Sequence, residues 1–278
     1  MKKLLALALI AATASFTTVS AQAQDVKRAI TKVAGDVYRF QNNFHFSLVT
    51  VTNDGVVVVD PINADAASWL KTNLSSITDK PITHLIYSHS HADHASGGAA
   101  LGAANVIAQE NAPDAIDGVK PTERFGESKS YEIGGKTFEL TWLGKGHGDD
   151  LISVIVRPEN VGFITDVAAP KRVPFKTMPS SSVDAWIDQV RKVDTLDFDI
   201  FAPAHGNVGV KADVKDVLAY MLELRAGVLA GLKAGKTAVE LEKTLRFPAY
   251  KAWLQYEAWG PLNVRGMADY LVKAGKVN

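Results

Sequence analysis

Apolar and polar positions divide the chain into two β-rich stretches, each followed by helical pattern. Residues 37–40, 46–52 and 56–59 are rich in β-branched and aromatic side chains, and Asn53, Asp54 and Gly55 supply a hairpin turn. Asp60 and Pro61 end the third run. Residues 64–74 read as an amphipathic helix with Ala67, Leu70 and Leu74 on one side. A strand over 83–87, a short helix from Gly98 to Leu101 and a strand over 106–108 follow. Residues 111–130 carry Pro, Gly and charge and read as a loop crossing between the halves. Strand pattern restarts at 131–133, turns at Gly134 and Gly135, and continues over 137–143, 152–157 and 161–165. A helix over 182–193, a strand over 200–203 and mostly helical pattern from Ala212 complete the chain. Two β-rich halves that each end in helices fit two sheets packed face to face with helices outside.

The N-terminal residues stand apart from this pattern. Lys2 and Lys3 precede an apolar run over residues 4–14, and a polar stretch then ends in Ala21-Gln22-Ala23. That is the tripartite signature of a secretory signal peptide, over residues 1–23 with cleavage expected after Ala23. The apolar run is too short to span a bilayer. Residues 24–278 then form one exported domain, periplasmic or secreted, with no stable membrane anchor. Residues 1–278 contain no cysteine, so neither a disulfide nor a thiolate ligand is available. Thirty basic residues balance thirty acidic ones, which leaves no electrostatic track for nucleic acid and points to a small-molecule substrate. The oligomeric state stays open, a homodimer included.

The chemistry concentrates in His89-Ser90-His91-Ala92-Asp93-His94, where the strand over 83–87 ends and Ser96-Gly97-Gly98 turns the chain. Neutral imidazole and carboxylate suit zinc, and also iron or manganese. One metal would be under-filled by this stretch alone, so further ligands are expected downstream. His147 in Gly144-Lys145-Gly146-His147-Gly148, Asp166 after Ile164-Thr165, and His205 before Gly206 each follow an apolar strand. A rigid sheet presents ligands at a common rim in this way. Only His45 and His84 of the seven histidines fall outside these positions.

The series His-x-His-x-Asp-His, Gly-x-His, a strand ending in Asp, and Pro-x-His-Gly resembles the metallo-β-lactamase superfamily across essentially all of residues 24–278. The resemblance implies an α/β fold, a four-layer αββα sandwich of two mixed β-sheets flanked by helices, with two Zn²⁺ per chain at one edge (Fe or Mn as alternatives). His89, His91 and His147 would bind the first metal; Asp93, His94 and His205 would bind the second; Asp166 would bridge both. Asp166 and the lack of cysteine exclude the lactamases with a cysteine ligand and resemble the glyoxalase II, lactonase and arylsulfatase-like relatives.

The implied activity is hydrolysis of an ester, lactone or thioester by a metal-bridging hydroxide, with Asp93 orienting the nucleophile and passing a proton to the leaving group. The alternatives are an exported β-lactamase and, below it, a mononuclear iron sulfur dioxygenase. Asp60, and less so Asp149 or Asp150, are candidates to hold metal-binding imidazoles through their second nitrogen. The hairpin carrying Phe44, His45 and Phe46 is expected to overhang the metals and line the substrate pocket, unless those side chains serve hairpin packing alone. The stripe Tyr250, Trp253, Tyr256, Trp259 reads as core or oligomer interface before substrate wall. Lys171 and Arg172 read as solvated loop, with a substrate carboxylate as the alternative partner.

Overall fold

The structure, a computed structural model, describes residues 26–277. The expected signal peptide over residues 1–23 lies outside the described residues. Seven strands form the first sheet in chain order: β1 (Arg28–Ala34), β2 (Val37–Asn42), β3 (His45–Val51), β4 (Val56–Val59), β5 (Ile82–Ile86), β6 (Asn105–Gln109) and β7 (Glu123–Phe125). The meander β1 to β4 is antiparallel, and β4 to β7 run parallel. The parallel crossovers carry helices α1 (Ala64–Asn73), α2 (Ala92–Ala95) and α3 (Gly98–Leu101). The second sheet contains β8 (Ser128–Ile133), β9 (Lys136–Trp142), β10 (Ile152–Arg157), β11 (Val161–Ile164), β12 (Ile200–Pro203) and β13 (Gly209–Val210), ordered β13-β12-β11-β10-β9-β8. Helix α4 (Val183–Thr195) joins β11 to β12, and α5 (Asp213–Lys233), α6 (Ala238–Thr244) and α7 (Tyr256–Lys273) follow.

Strand periodicity explains the layering. In β4 every residue is buried, but Val57 and Val59 join the core between the sheets whereas Val56 and Val58 pack under α1. From the second sheet, Phe138, Leu140, Ile152, Val154 and Val156 fill that same central core. Its outer face packs Ile155, Ile164 and Phe201 against α4, α5 and α7. The result is helix, sheet, sheet, helix, the four-layer αββα sandwich.

Two short strands depart from the pattern-based reading. Residues 111–130 are not all loop, because β7 pairs in parallel with β6 and β8 begins at Ser128. Both are edge elements: β7 is too short to show alternation and buries only Phe125, and the exposed Ser128–Ser130 start of β8 gives no apolar signal ahead of the strand read over 131–133. The two-residue β13 is, like β7, too short to show it.

Candidate metal centre

Each candidate ligand leaves the end of a strand at one rim of the sandwich. After β5 the chain is pinned to both sheets, since the Tyr87 N–H donates to Ile107 and the Ser88 carbonyl accepts from Ile152 of β10. His91 then caps α2, whose single turn carries Asp93 and His94. His147 sits in the loop between β9 and β10, Asp166 directly follows β11, and His205 follows β12. Asp166 has φ +58°, a left-handed conformation that Asp tolerates better than most residues and that turns its carboxylate back over the rim.

The Asp166 carboxylate divides the histidines into two groups. Its Oδ2 lies 3.3 Å from His89 Nε2 and 3.1 Å from His147 Nε2. Its Oδ1 lies 3.2 Å from both His94 Nε2 and His205 Nε2, which are 3.1 Å from each other. His91 completes the first group, its ring centroid 4.5 Å from that of His89 and 4.9 Å from that of His147. Asp93 Oδ2 approaches His94 Nε2 at 3.5 Å from the solvent side. All seven residues picked out by the sequence therefore converge. His84 does not, lying five residues before His89 with its Nδ1 against Thr83.

This donor set fits a metal better than it fits itself. Donors around a tetrahedral zinc, with bonds of about 2.0–2.1 Å, stand about 3.3 Å apart. His89 Nε2 and Asp166 Oδ1 are buried and satisfy no hydrogen bond. At His205 the Phe44 carbonyl, 2.9 Å from Nδ1, can only accept, so the proton sits on Nδ1 and the Nε2 lone pair faces inward.

Burial lowers His89 to about 4, and burial followed by the neighbouring His147 lowers His91, so both are neutral at pH 7. Burial would also lower His94, but attraction by Asp166, Asp60 and Asp93 outweighs it and raises His94 to about 9. Burial would raise Asp166, yet the surrounding imidazoles, His94 foremost, hold it well below the usual carboxylate range. The site is thus rich in negative charge, and a divalent cation would compete for the proton held at His94.

The residues that hold the ligands are less visible in the sequence. Asp60, φ +65° and fully buried, accepts from the Ser88 N–H at 2.8 Å and the Ser88 hydroxyl at 2.6 Å, and that hydroxyl lies 3.0 Å from His89 Nδ1. It reaches His89 through Ser88, while His94 Nδ1 is 3.9 Å away, beyond hydrogen-bond range. Arg39 in β2 donates from Nη2 to the carbonyls of Pro203 (2.7 Å) and Gly206 (3.0 Å), which bracket His205. Burial lowers this guanidinium to about 10, so it stays charged at neutral pH. On α4, Gln189 accepts the His147 N–H at 2.8 Å and donates to Gly144 (2.7 Å) and Gly148 (3.3 Å). One turn earlier, Trp186 packs against His147 with ring centroids 4.6 Å apart and the planes inclined at 61°, and donates to the carbonyl of Val167, next to Asp166. The available signals were an Arg between Tyr38 and Phe40 in β2 and a lone Gln on the buried stripe of α4.

Asp149 and Asp150 do not hold a ligand imidazole through a hydrogen bond. Asp149 uses its carbonyl to receive Trp142 and Asn111, and Asp150 is buried with Oδ2 unpartnered. In the hairpin, His45 Nε2 lies 3.3 Å from Asp93 Oδ2, Phe44 is 80 % exposed, and the Phe46 ring packs on the Arg39 guanidinium at 3.7 Å. The His45 contact holds the Asp93 carboxyl below the usual range. Lys171 is consumed by Asp213 and Asp216. Arg172 stacks 4.9 Å over Trp259 and, among the described residues, makes no ion pair. The aromatic stripe splits: Tyr250 and Trp253 pack around Tyr220 in the helical layer, and Trp259 meets Arg172 and Phe175.

Comparison with known proteins identifies the family and the fold. The profile of the metallo-beta-lactamase superfamily matches residues 43–205, from the hairpin tip to the last ligand candidate. A metallo-beta-lactamase from Pontibacter korlensis superposes with a TM-score of 0.61 at 19 % identity, over 70 % of this chain and 99 % of that one. The sec-alkylsulfatase Pisa1 from Pseudomonas sp. superposes with a TM-score of 0.72 at 15 % identity, over 87 % of this chain and 50 % of that one. The alpha subunit of a 2,4-dinitroanisole O-demethylase from Nocardioides sp. (strain JS1661) is 27 % identical over 184 residues, 62 % of this chain and 56 % of that protein. The chain thus spans little more than half the length of that curated relative. With the profile matched over more than half of its residues, the chain belongs to the metallo-β-lactamase superfamily, whose members are metal-dependent hydrolases.

Proposed function

We propose that the protein is an exported dinuclear zinc hydrolase that cleaves an ester, lactone or thioester in the periplasm or outside the cell. The observation that carries this reading is the division of the Asp166 carboxylate, Oδ2 toward His89 and His147 and Oδ1 toward His94 and His205. His89, His91, His147 and Asp166 would hold one cation, and Asp93, His94, His205 and Asp166 the other. Bound there, such cations supply Lewis acidity and a water ionised near neutral pH. The chain's own residues do the rest. Gln189, Arg39 and the Asp60–Ser88 pair hold the ligand loops, so little reorganisation accompanies turnover. Asp93, ionised and half-exposed, can receive a proton at a carboxylate oxygen and return it to the leaving group.

A second reading, cleavage of a sulfate ester or another anionic ester, is favoured by Arg172, which lies beside Gly206 next to His205 and makes no ion pair among the described residues, and by the fold shared with the alkylsulfatase. The test is metal analysis of the purified protein together with a screen against aryl esters, acyl-homoserine lactones, thioesters, nitrocefin, alkyl sulfates and an aryl methyl ether. Two zinc per chain with ester or lactone turnover supports the first reading. Preference for alkyl sulfates, lost in Arg172→Ala through KM, supports the second. A single iron with no hydrolysis would overturn both.

A further inference from the structure

The hairpin between β2 and β3 brings a further histidine to the metal centre. Its two turn residues are Asn43, at φ +56°, and Phe44, and β3 opens with His45. The residues on both sides of His45 are fastened to the segment that carries His205. The Phe44 carbonyl accepts from His205 Nδ1 at 2.9 Å, and the Phe46 N–H donates to Ala204 at 2.9 Å. With the backbone held at both points, the imidazole of His45 is directed into the rim. Its centroid lies 4.8 Å from that of His205 and 5.6 Å from that of His94, and its Nε2 is 3.3 Å from Asp93 Oδ2. Donor atoms of His45, Asp93 and His205 all lie within 4.8 Å of one another, as do those of His94, Asp166 and His205. The two triads share His205 and adjoin through it, and the 3.5 Å between Asp93 Oδ2 and His94 Nε2 links them a second time.

We propose that His45 is a ligand of the outer cation, joining Asp93, His94, Asp166 and His205. This rests on the dinuclear reading above. The separation of 3.3 Å between His45 Nε2 and Asp93 Oδ2 matches the spacing of two donors on one cation as well as it matches a weak hydrogen bond. The assignment makes the two sites unequal, its five outer donors standing against the inner four, His89, His91, His147 and Asp166, which lie within 4.8 Å of one another. It also ties the hairpin, with its exposed Phe44, to the occupancy of the outer site.

The experiment compares His45→Ala and His45→Gln with the unaltered protein by cobalt titration, reading stoichiometry, stepwise affinity and the hyperfine-shifted imidazole resonances. The glutamine keeps a polar group able to reach Asp93 but gives up the imidazole nitrogen, and thermal melting of the metal-free proteins verifies folding. Both variants should bind the first cobalt as the unaltered protein does, bind the second at least about tenfold more weakly, and lose one shifted imidazole resonance. Unchanged second-site affinity in either variant, or an unchanged set of resonances, overturns the assignment and reduces His45 to a partner of Asp93. If the unaltered protein binds only one cobalt, the dinuclear reading itself falls, and His45 with it.

Discussion

Gln189 offers the sharpest test of how the fold holds its ligands. Its side chain is 1 % exposed and makes three hydrogen bonds to the Gly144–Gly148 loop: it accepts from the His147 N–H at 2.8 Å and donates to Gly144 at 2.7 Å and Gly148 at 3.3 Å. In Gln189→Ala the two shorter bonds each forfeit about 1–1.5 kcal/mol net, and the long one contributes less. The space vacated is polar enough to admit water, which recovers part of the loss. The expected cost to the metal-free protein is therefore about 2–3 kcal/mol, or a melting temperature lower by about 4–12 °C for a chain of this size. A loop with three glycines loses the anchor that aims His147, so the inner cation should bind about 10–100-fold more weakly. Urea unfolding of the metal-free protein and zinc competition against a fluorescent chelator measure the two effects separately. Gln189→Glu keeps the acceptor for the His147 N–H but sets a charge against two carbonyls, and should be no better than alanine. Stability within about 0.5 kcal/mol of the unaltered protein, with zinc affinity unchanged, would refute the claim that α4 organises the His147 loop.

Other expectations follow the same logic. Arg39→Met keeps the apolar stem but drops two charge-assisted bonds around His205; it should cost about 2–4 kcal/mol in urea unfolding and weaken the second metal in a zinc titration. Asp93→Ala should abolish turnover and lower the metal bound per chain by mass spectrometry, and full activity in that variant would remove Asp93 from the mechanism. Zinc at about a hundred times its dissociation constant should stabilise the chelator-treated protein by about 2.7 kcal/mol, and an unchanged melting temperature would argue against a folded-state site. Glu159 meets Lys136 with only 8 % and 10 % of the two side chains exposed, and Glu159→Gln should cost about 1–2 kcal/mol at pH 7. Burial would raise this carboxyl, but Lys136 and the Asp36 amide hold it below its ordinary value of about 4.3. Its contribution is therefore complete above that value and fades as pH falls through the lowered one, so the gap between Glu159→Gln and the unaltered protein should narrow below about pH 4.

The candidate ligand positions were legible in the chain because metal chemistry restricts such positions to few residue types. It also places them where apolar strands stop, and both facts are local. His89, His91, Asp93 and His94 lie within six residues, and His147, Asp166 and His205 each follow a run of buried strand residues. The αββα layering was legible for a related reason: alternation and helical period report which face each element buries. The residues that aim the ligands obey no such rule. Arg39 meets Pro203 across 164 positions, and Gln189 meets Gly144 across 45, so their partners exist only once the sheets and α4 have packed. The edge strands β7 and β13, three and two residues long, are too short for alternation to register. His45 shows the division within one residue. The chain placed it in a hairpin with two open roles, pocket wall or packing, and only the bonds from Phe44 and Phe46 to the His205 segment turn its imidazole toward Asp93. Short-range pattern thus decided which residues are candidates for the chemistry and where each element ends. Long-range packing decided how those residues are held, because a hydrogen bond to a distant carbonyl has no counterpart in local order.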